Sequence, residues 1–449
     1  MDAEHWQRRL DALAARHQVP GAQLGILRLD ELVSVAHGVL NIDTGVTATP
    51  DSLFQIGSIT KVWTTTLLML LVDEGKLDLD APVVDVLPEL RLAEPDVTAQ
   101  VTARHLVTHT SGIDGDVFVD TGRGDDCVER YVAELANAAQ NHPLGATWSY
   151  CNSGLVLAGR IIERLTGTTW DTALRERLIA PLGLTHTVTL PEDALLHRAA
   201  VGHVGDTELT RAPVWGLPRA VGPAGLITST VADVLAFARL HLTGGLGPDG
   251  TRLLSAESAA AMAAKQADLP DKHTLGDSWG LGWIRYGWHG TRAIGHDGNT
   301  VGQAAFLRIV PERGVAVALL TNGGHTHDLH QDLFQEIFAE IAQVDVPSAL
   351  TPPAELVDVD LTPWLGSYER ASTRLDVLAD GPTLRTTTTG PLAALLPDPV
   401  TEFAMIAVAP DLFVVRLPET ETWAPVLFYT LPDGARYLHH GGRATPKVA

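Results

Sequence analysis

The chain has 449 residues, 45% of them hydrophobic and 19% charged, and its formal net charge is −22. This composition is typical of a globular protein with enough apolar material for two domains. The strong negative charge argues against binding to nucleic acid or to an anionic membrane, because both surfaces repel an acidic protein. The two cysteines, Cys127 and Cys151, are too few for a disulfide framework, so we expect free thiols.

The first residues of the chain bear on the cellular compartment in which we expect the protein. Residues 1–9 include two acidic side chains and no apolar core, so they do not have the pattern of a signal peptide. No apolar run reaches the length that a membrane-spanning helix needs. We therefore expect a cytoplasmic protein without a membrane partner.

The apolar pattern predicts elements of two kinds along the first 345 residues. An amphipathic helix over 4–17 precedes a hairpin of two strands, and a polar surface loop interrupts a long helical stretch. From residue 279 the period changes to that of strands, and one last helix follows. The predicted strands are 23–28, 32–37, 280–286, 293–296, 303–310 and 315–321; the loop is 113–127; the later helices are 62–72, 128–141, 154–165, 169–179, 230–242, 256–266 and 329–343.

Early and late strands that flank a helical insert predict an α/β (α+β) fold with one antiparallel sheet covered by helices. We assign this domain to residues 1–345. A proline-rich linker over 346–356 follows it. Residues 357–449 alternate in short apolar runs, which predict a small β-barrel or sandwich.

Ser58 and Lys61 lie three residues apart at the head of the apolar run 62–72. In a helix they would share one face, a turn apart, with their polar ends within reach of each other. A desolvated lysine that has lost its proton can act as the base for a serine nucleophile. The alternative is an accidental surface pair, and this motif alone does not exclude it.

Three further segments carry polar or small residues in suggestive positions. Tyr150 and Asn152 precede an apolar helix, residues 295–299 read Gly-His-Asp-Gly-Asn beside a strand, and residues 222–225 form a small-residue turn. Each also has a plain structural interpretation: a buried tyrosine beside a helix cap, a hairpin with an exposed histidine, and a simple turn. Only their combination is informative.

In this order the segments resemble the motifs Ser-x-x-Lys, Tyr-x-Asn and His-x-Gly of the serine penicillin-recognising superfamily, specifically its class C β-lactamase-like branch. The resemblance covers roughly residues 15–345 and includes the phrase Leu-Val-Thr-His-Thr-Ser-Gly at 106–112. The branch contains D-alanyl-D-alanine carboxypeptidases, D-stereospecific aminopeptidases, family VIII esterases and penicillin-binding-protein-type thioesterases. It implies a β-lactamase/transpeptidase-like fold and acyl transfer without metal or cofactor.

The resemblance also implies roles for individual residues. Ser58 would be the nucleophile, and Lys61 and Tyr150 would carry protons, although the sequence does not decide which of them takes the proton of the serine. Asn152 would bind the amide of the acyl donor. His296, Gly298 and Asn299 would line the substrate site, where the N–H groups of Ser58 and Asn299 form an oxyanion hole.

Two features narrow the expected substrate. His296 stands where β-lactamases of this branch usually carry lysine, which favours esterases, D-aminopeptidases and thioesterases. The thioesterases resemble this chain in joining a lipocalin-like C-terminal domain to the catalytic one, and in them an arginine near the terminus grips the carboxylate of a D-residue. Arg443 is placed for that role, unless it lies in a frayed tail.

These observations lead to one specific hypothesis and two alternatives. The specific one is a penicillin-binding-protein-type thioesterase that cyclises or hydrolyses a peptidyl or small-molecule acyl substrate, including a thioester on a carrier protein. The first alternative is a β-lactamase-like esterase or a D-amino-acid-specific peptidase or amidase. The second is a non-catalytic sensor that kept the fold. The oligomeric state stays open.

Overall fold

The computed structural model describes all residues except 206–207, 380, 391–392, 394–397 and 417–420. The chain starts with the predicted amphipathic helix, whose buried side is Trp6, Leu10, Leu13 and Ala14. The predicted hairpin follows and is longer at both ends than expected. These first elements are α1 (Ala3–Arg16), β1 (Gly21–Arg28), β2 (Glu31–Asn41) and β3 (Val46–Thr47).

The middle of the chain is mainly helical, as the pattern indicates. The predicted helix over 128–141 is too long, because the chain tightens into a 3₁₀ turn after Glu134 and becomes extended at Ala138. The elements in order are β4 (Phe54–Gln55), α2 (Thr60–Asp73), α3 (Pro95–Gln100), α4 (Ala103–Val107), α5 (Cys127–Glu134), α6 (Asn152–Thr166), α7 (Trp170–Leu174), α8 (Ala180–Leu182), α9 (Pro191–Ala194), β5 (His203–Val204), β6 (Thr210–Arg211), α10 (Gly222–Gly225), β7 (Thr228–Ser229), α11 (Val231–Leu242) and α12 (Ala256–Ala263).

The late part returns to strands and ends in one helix. Two of the predicted strands, 303–310 and 315–321, have the bounds that the sequence indicates. The elements are β8 (Ala267–Asp268), β9 (Ser278–Trp279), β10 (Ile284–Trp288), β11 (Thr291–Thr300), β12 (Gln303–Val310), β13 (Val315–Thr321) and α13 (Thr326–Ile337).

Nine of these strands form one antiparallel sheet in the order β3-β2-β1-β13-β12-β11-β10-β9-β8. The early hairpin therefore pairs with the late strands, as predicted. Along β12 all eight residues are buried, because alternate side chains face two different cores. One core contains residues of α2, α6 and α11, and the other contains residues of α1 and α13. The α+β class with a helix-covered antiparallel sheet is confirmed.

Apart from a 3₁₀ turn at Thr362–Trp364, the regular elements described in the C-terminal region are strands. They form one sheet of four and one of five strands, in which each described strand pairs with its sequence neighbours, and the two ends of the region meet where Tyr368 bridges Lys447. This is the connectivity of an up-and-down barrel, as in lipocalins, and we call it the C-terminal barrel. Its strands are β14 (Gly366–Arg370), β15 (Thr373–Leu378), β16 (Thr383–Thr388), β17 (Val400–Ala404), β18 (Ile406–Ala407), β19 (Leu412–Arg416), β20 (Trp423–Thr430), β21 (Arg436–His440) and β22 (Arg443–Pro446).

Between residues 343 and 361, all of which the structure describes, the chain forms neither helix nor strand. The proposed boundaries at 345 and 357 fall inside this stretch and remain a prediction. Among the described residues no helix is long and apolar enough to cross a bilayer.

Candidate active site

Ser58 lies in a 3₁₀ turn, Gly57–Ile59, that runs directly into α2. Lys61 follows in the first turn of the helix, and its Nζ lies 2.8 Å from Ser58 Oγ. The same Nζ donates a hydrogen bond to the carbonyl of Ala224, at 2.6 Å. The small-residue turn at 222–225 therefore serves to hold the lysine, and the predicted pair is in direct contact.

Lys61 is only 1% exposed. Burial lowers its pKa well below the ordinary value, and the positive charge of Arg443 lowers it further. A buried ammonium loses hydration that the protein replaces only in part, so the neutral amine is favoured. The lowered pKa makes Lys61 a better proton acceptor than an ordinary lysine.

Tyr150 approaches the serine from the other side. Its phenol lies beside Ser58, and its ring lies 4.9 Å from Lys61 Nζ. Burial raises the pKa of Tyr150, so it remains a protonated phenol. The ring of His109 stacks on the Tyr150 ring, with 4.5 Å between the ring centres. The backbone of His109 is in the left-handed region, with a φ of 59°. Ser58 is thus held between an amine and a phenol, both able to move protons.

Cys151 and Asn152 begin helix α6. The Cys151 sulfur accepts a hydrogen bond from the N–H of Gly154 at 3.1 Å, so the thiol is the N-cap of the helix. Burial raises its pKa to about 12, which leaves it protonated. The Asn152 amide nitrogen donates to Asp116 at 3.2 Å. The thiol contact gives Cys151 a structural role at the start of the helix.

His296 lies inside β11, which continues to Thr300; the prediction that the strand ends at residue 296 is wrong. The reason is that Asp297 forms an ion pair with Arg308 of the neighbouring β12, which makes a charged residue tolerable in a buried strand. The Nδ1 of His296 donates to the Asp297 carbonyl at 2.6 Å. Burial lowers the pKa of His296 to about 3, and nearby Lys61 adds to the effect. His296 is therefore neutral, with its Nε2 unpartnered among the described residues.

Strand β11 passes directly beside the Ser58 turn. A Cβ added to Gly298 would lie 2.8 Å from the Ser58 nitrogen, and one added to Gly57 would lie 2.6 Å from the Asn299 nitrogen. Only glycine permits so close an approach. The backbone N–H groups of Ser58 and Asn299 thus come close together, as two donors to one oxyanion require.

Arg443 begins strand β22 of the C-terminal barrel and does not lie in a frayed tail. Its guanidinium binds Asp116 through Nε at 3.2 Å and Nη2 at 3.0 Å. It also lies 4.9 Å from the centre of the Tyr150 ring. The preceding Gly442 accepts a hydrogen bond from the Tyr150 N–H at 2.9 Å. The barrel therefore supplies part of the site.

Two residues at the site were not among the predicted ones. Asp116 is buried and accepts hydrogen bonds from Asn152, Arg443 and Arg370. The predicted surface loop over 113–127 is wrong at this point, because residues 113–116 are buried. Arg370 comes from the first hairpin of the barrel. A local sequence pattern could not reveal either residue, since their partners lie 254 and 327 positions away.

A cavity of about 930 Å³ opens above these groups. Ser58, Tyr150, Asn152, His296, Asn299 and Arg443 all line it. It continues between the first turns of α13 and the barrel residues 421–425, so it is larger than a site for a small acyl group alone requires. Six of the predicted site residues therefore line one cavity, and Lys61 and Gly298 lie against the Ser58 turn without lining it.

Comparison with known proteins identifies close relatives. Residues 6–340 match the Beta-lactamase family. Penicillin-binding protein 4 of Amycolatopsis lactamdurans is 49% identical over 373 residues, which are 82% of this chain and 98% of the relative.

Solved structures are also similar to this chain, one of them over nearly its whole length. The crystal structure of SurE with D-Leu is 28% identical, covers 99% of both chains and has a TM-score of 0.78. D-amino acid amidase from Ochrobactrum anthropi SV3, at 24% identity and a TM-score of 0.62, covers 74% of this chain and 98% of its own, and it shows the fold alone. The expected resemblance to the penicillin-recognising superfamily is confirmed.

Proposed function

This chain belongs to the Beta-lactamase family of serine hydrolases and acyl-transferases, and from that premise we propose that it transfers a peptidyl acyl group from a thioester through Ser58. The observation that carries the proposal is the position of the Ser58 hydroxyl, in contact with Lys61 and beside the phenol of Tyr150. A serine between a neutral amine and a protonated phenol has a base on one side and an acid on the other.

In the acylation step Lys61 takes the proton of Ser58 while Oγ attacks the carbonyl carbon of the thioester. The negative charge on the carbonyl oxygen is stabilised by the N–H groups of Ser58 and Asn299, and each such donor contributes about 3 kcal/mol to lowering the barrier. The C–S bond then breaks, and Tyr150 donates its proton to the leaving sulfur. Lys61 returns the serine proton to Tyr150, so the acyl-enzyme forms with both groups in their starting states.

In the second step water or an amine attacks the ester carbonyl of the acyl-enzyme. Lys61 or Tyr150 accepts a proton from the attacking group, and Ser58 recovers one as the ester bond breaks. Attack by water gives a linear acid, and attack by the amino terminus of the same peptide gives a ring. The large cavity supports a substrate long enough to fold back on itself.

Arg443 supports a narrower proposal about the acyl donor, namely that its last residue has the D-configuration. After release of the acid, the carboxylate of that residue would lie against the guanidinium of Arg443. An arginine binds a carboxylate through two parallel N–H groups. The structural relative SurE was solved with D-Leu. The D-configuration is therefore the first to test.

The test compares a peptidyl thioester ending in D-Leu, its L-Leu counterpart and p-nitrophenyl acetate as a short ester. We expect turnover of the D-thioester to exceed that of the L-thioester, and Arg443→Gln to weaken inhibition by the released D-acid while leaving turnover of the short ester within about threefold. Similar rates on all three substrates, unchanged in Arg443→Gln, would favour the simple esterase. A D-leucine amide is a fourth substrate, and cleavage of this amide faster than of the D-thioester would favour the amidase alternative.

The pH dependence follows from Lys61. Its pKa is lowered, so the reactive neutral amine exists from a pH well below 10.5 upward, and kcat/KM should fall as the pH drops through that lowered pKa. His296, with a pKa of about 3, does not contribute at neutral pH. The measurement is a kcat/KM profile for the wild type and His296→Gln. Loss of the acid limb in His296→Gln would contradict the assignment to Lys61.

A further inference from the structure

Three buried charges lie in a row behind the site. Asp116 is in the middle, with Arg443 bound to both of its oxygens on one side. Arg370 donates to one of the same oxygens from the other side. Their side chains are 7%, 25% and 14% exposed, respectively, so water screens these charges weakly.

Only the outer member of the row reaches the substrate cavity. Arg443 lines the cavity, whereas Asp116 and Arg370 do not. Arg443 uses three of its five N–H groups, two on Asp116 and one on the carbonyl of Gly441. Two N–H groups are therefore left, among the described contacts, for a ligand. Arg370 cannot touch a ligand in the cavity, so it can act only through its neighbours.

The charge balance explains why a second arginine is useful. Arg443 and Asp116 alone would form a neutral pair, and a neutral pair offers an incoming carboxylate little net attraction. Burial by itself would raise the pKa of Asp116, but the two arginines keep it below the ordinary value, so the aspartate is ionised. With Arg370 included, these three groups carry one net positive charge. The carboxylate of Asp114 acts on Arg370 and not on Arg443, so it lies on the side of the row away from the ligand-binding arginine.

We propose that Arg370 is a specificity-determining positioning residue: it neutralises Asp116, so that the charge of Arg443 is available to the carboxylate of the released acid. The inference rests on the proposed function, because it assumes a carboxylate at Arg443. It makes the first hairpin of the C-terminal barrel part of carboxylate recognition, although no residue of that hairpin lines the cavity.

A purely structural role is the competing explanation. The same hairpin docks through the Ala371 N–H on Asp114, at 2.6 Å, so Arg370 could simply fasten the barrel to the rest of the chain. The two explanations differ in one respect. A fastening residue affects the binding of all ligands alike, whereas a charge-balancing residue affects only ligands that carry a carboxylate.

The experiment measures inhibition constants for two probes, N-acetyl-Phe-D-Leu as the free acid and the same compound as the carboxamide. Enzyme concentrations are set by titrating Ser58 with a fluorophosphonate, so that only folded protein is counted. Wild type should prefer the acid. Arg370→Gln should weaken acid binding about tenfold and leave amide binding within about threefold, as expected for a charge removed from a weakly screened site.

The double variant Asp116→Asn with Arg370→Gln is the decisive arm, because it again carries one net positive charge. We expect it to recover most of the lost preference for the acid, and Arg370→Lys, which keeps the charge, to lose little of it. A double variant as weak as Arg370→Gln, or an unchanged acid preference in Arg370→Gln, would overturn the role of Arg370 alone. If wild type binds both probes equally, the carboxylate subsite itself fails and the inference fails with it.

Discussion

Ser58→Ala is expected to lower kcat by about 10⁴-fold or more and to abolish covalent labelling, because the variant has no atom to carry the acyl group. Only the oxyanion donors and substrate binding remain to assist attack by water. The variant should fold normally, since removal of one oxygen at the cavity wall leaves no buried cavity. Intact mass after incubation with a peptidyl thioester or a fluorophosphonate is the measurement, together with steady-state rates.

The matched control is Ser34→Ala, which removes an unpartnered buried hydroxyl from β2. It should label to one adduct per chain at the wild-type rate. An adduct that persists on Ser58→Ala would show that another residue is the nucleophile. A wild-type chain that takes up no adduct would support the alternative of a sensor without catalytic activity.

Lys61→Met should slow acylation of Ser58 about 10³-fold, the contribution typical of a positioned general base. Methionine has a similar length and suits a buried position, so the change removes the amine with little effect on packing. Ser58 remains in place, and labelling should therefore still reach one adduct per chain, only slowly. The measurement is the time course of fluorophosphonate labelling, followed by mass.

Lys265→Met is the control, since Lys265 is half exposed and, among the described residues, forms an ion pair with Asp268 on the surface. It should acylate at the wild-type rate. The acid limb of the pH profile should also disappear in Lys61→Met, because the group that titrates there is gone. Rapid labelling of Lys61→Met with the acid limb intact would assign the base to Tyr150.

The sequence predicts the secondary structure well where amphipathic periodicity is strong. The stripe of Trp6, Leu10 and Leu13 locates α1 to within one residue at each end. Prediction of secondary structure from the sequence fails where tertiary contacts override the local pattern. The residues around His296 look like a turn, yet they continue a strand because Arg308 on the neighbouring strand compensates the charge of Asp297.

The residues of the site also fall into those that local spacing predicts and those that depend on tertiary contacts. Ser58 and Lys61 can be placed from their spacing on a helix, and Tyr150 and Asn152 from their spacing before one. The contact of Arg443 with the site can be expected only from the resemblance to thioesterases. Asp116 and Arg370 could not be predicted, because their ion pair depends on how a loop and a distant β-hairpin dock, and no local periodic pattern in either segment indicates that contact.

The two cysteines of this protein should react little with electrophiles in the folded state. Cys151 is a helix cap with a pKa near 12, the pKa of Cys127 is also raised by burial, and both are buried. Thiolate is the form that reacts with electrophiles, so neither side chain should compete with Ser58 for an acylating reagent. Alkylation of either thiol would instead require the native structure to open. A single chain thus offers two independent readouts, serine acylation for the working state and thiol alkylation for its transient unfolding.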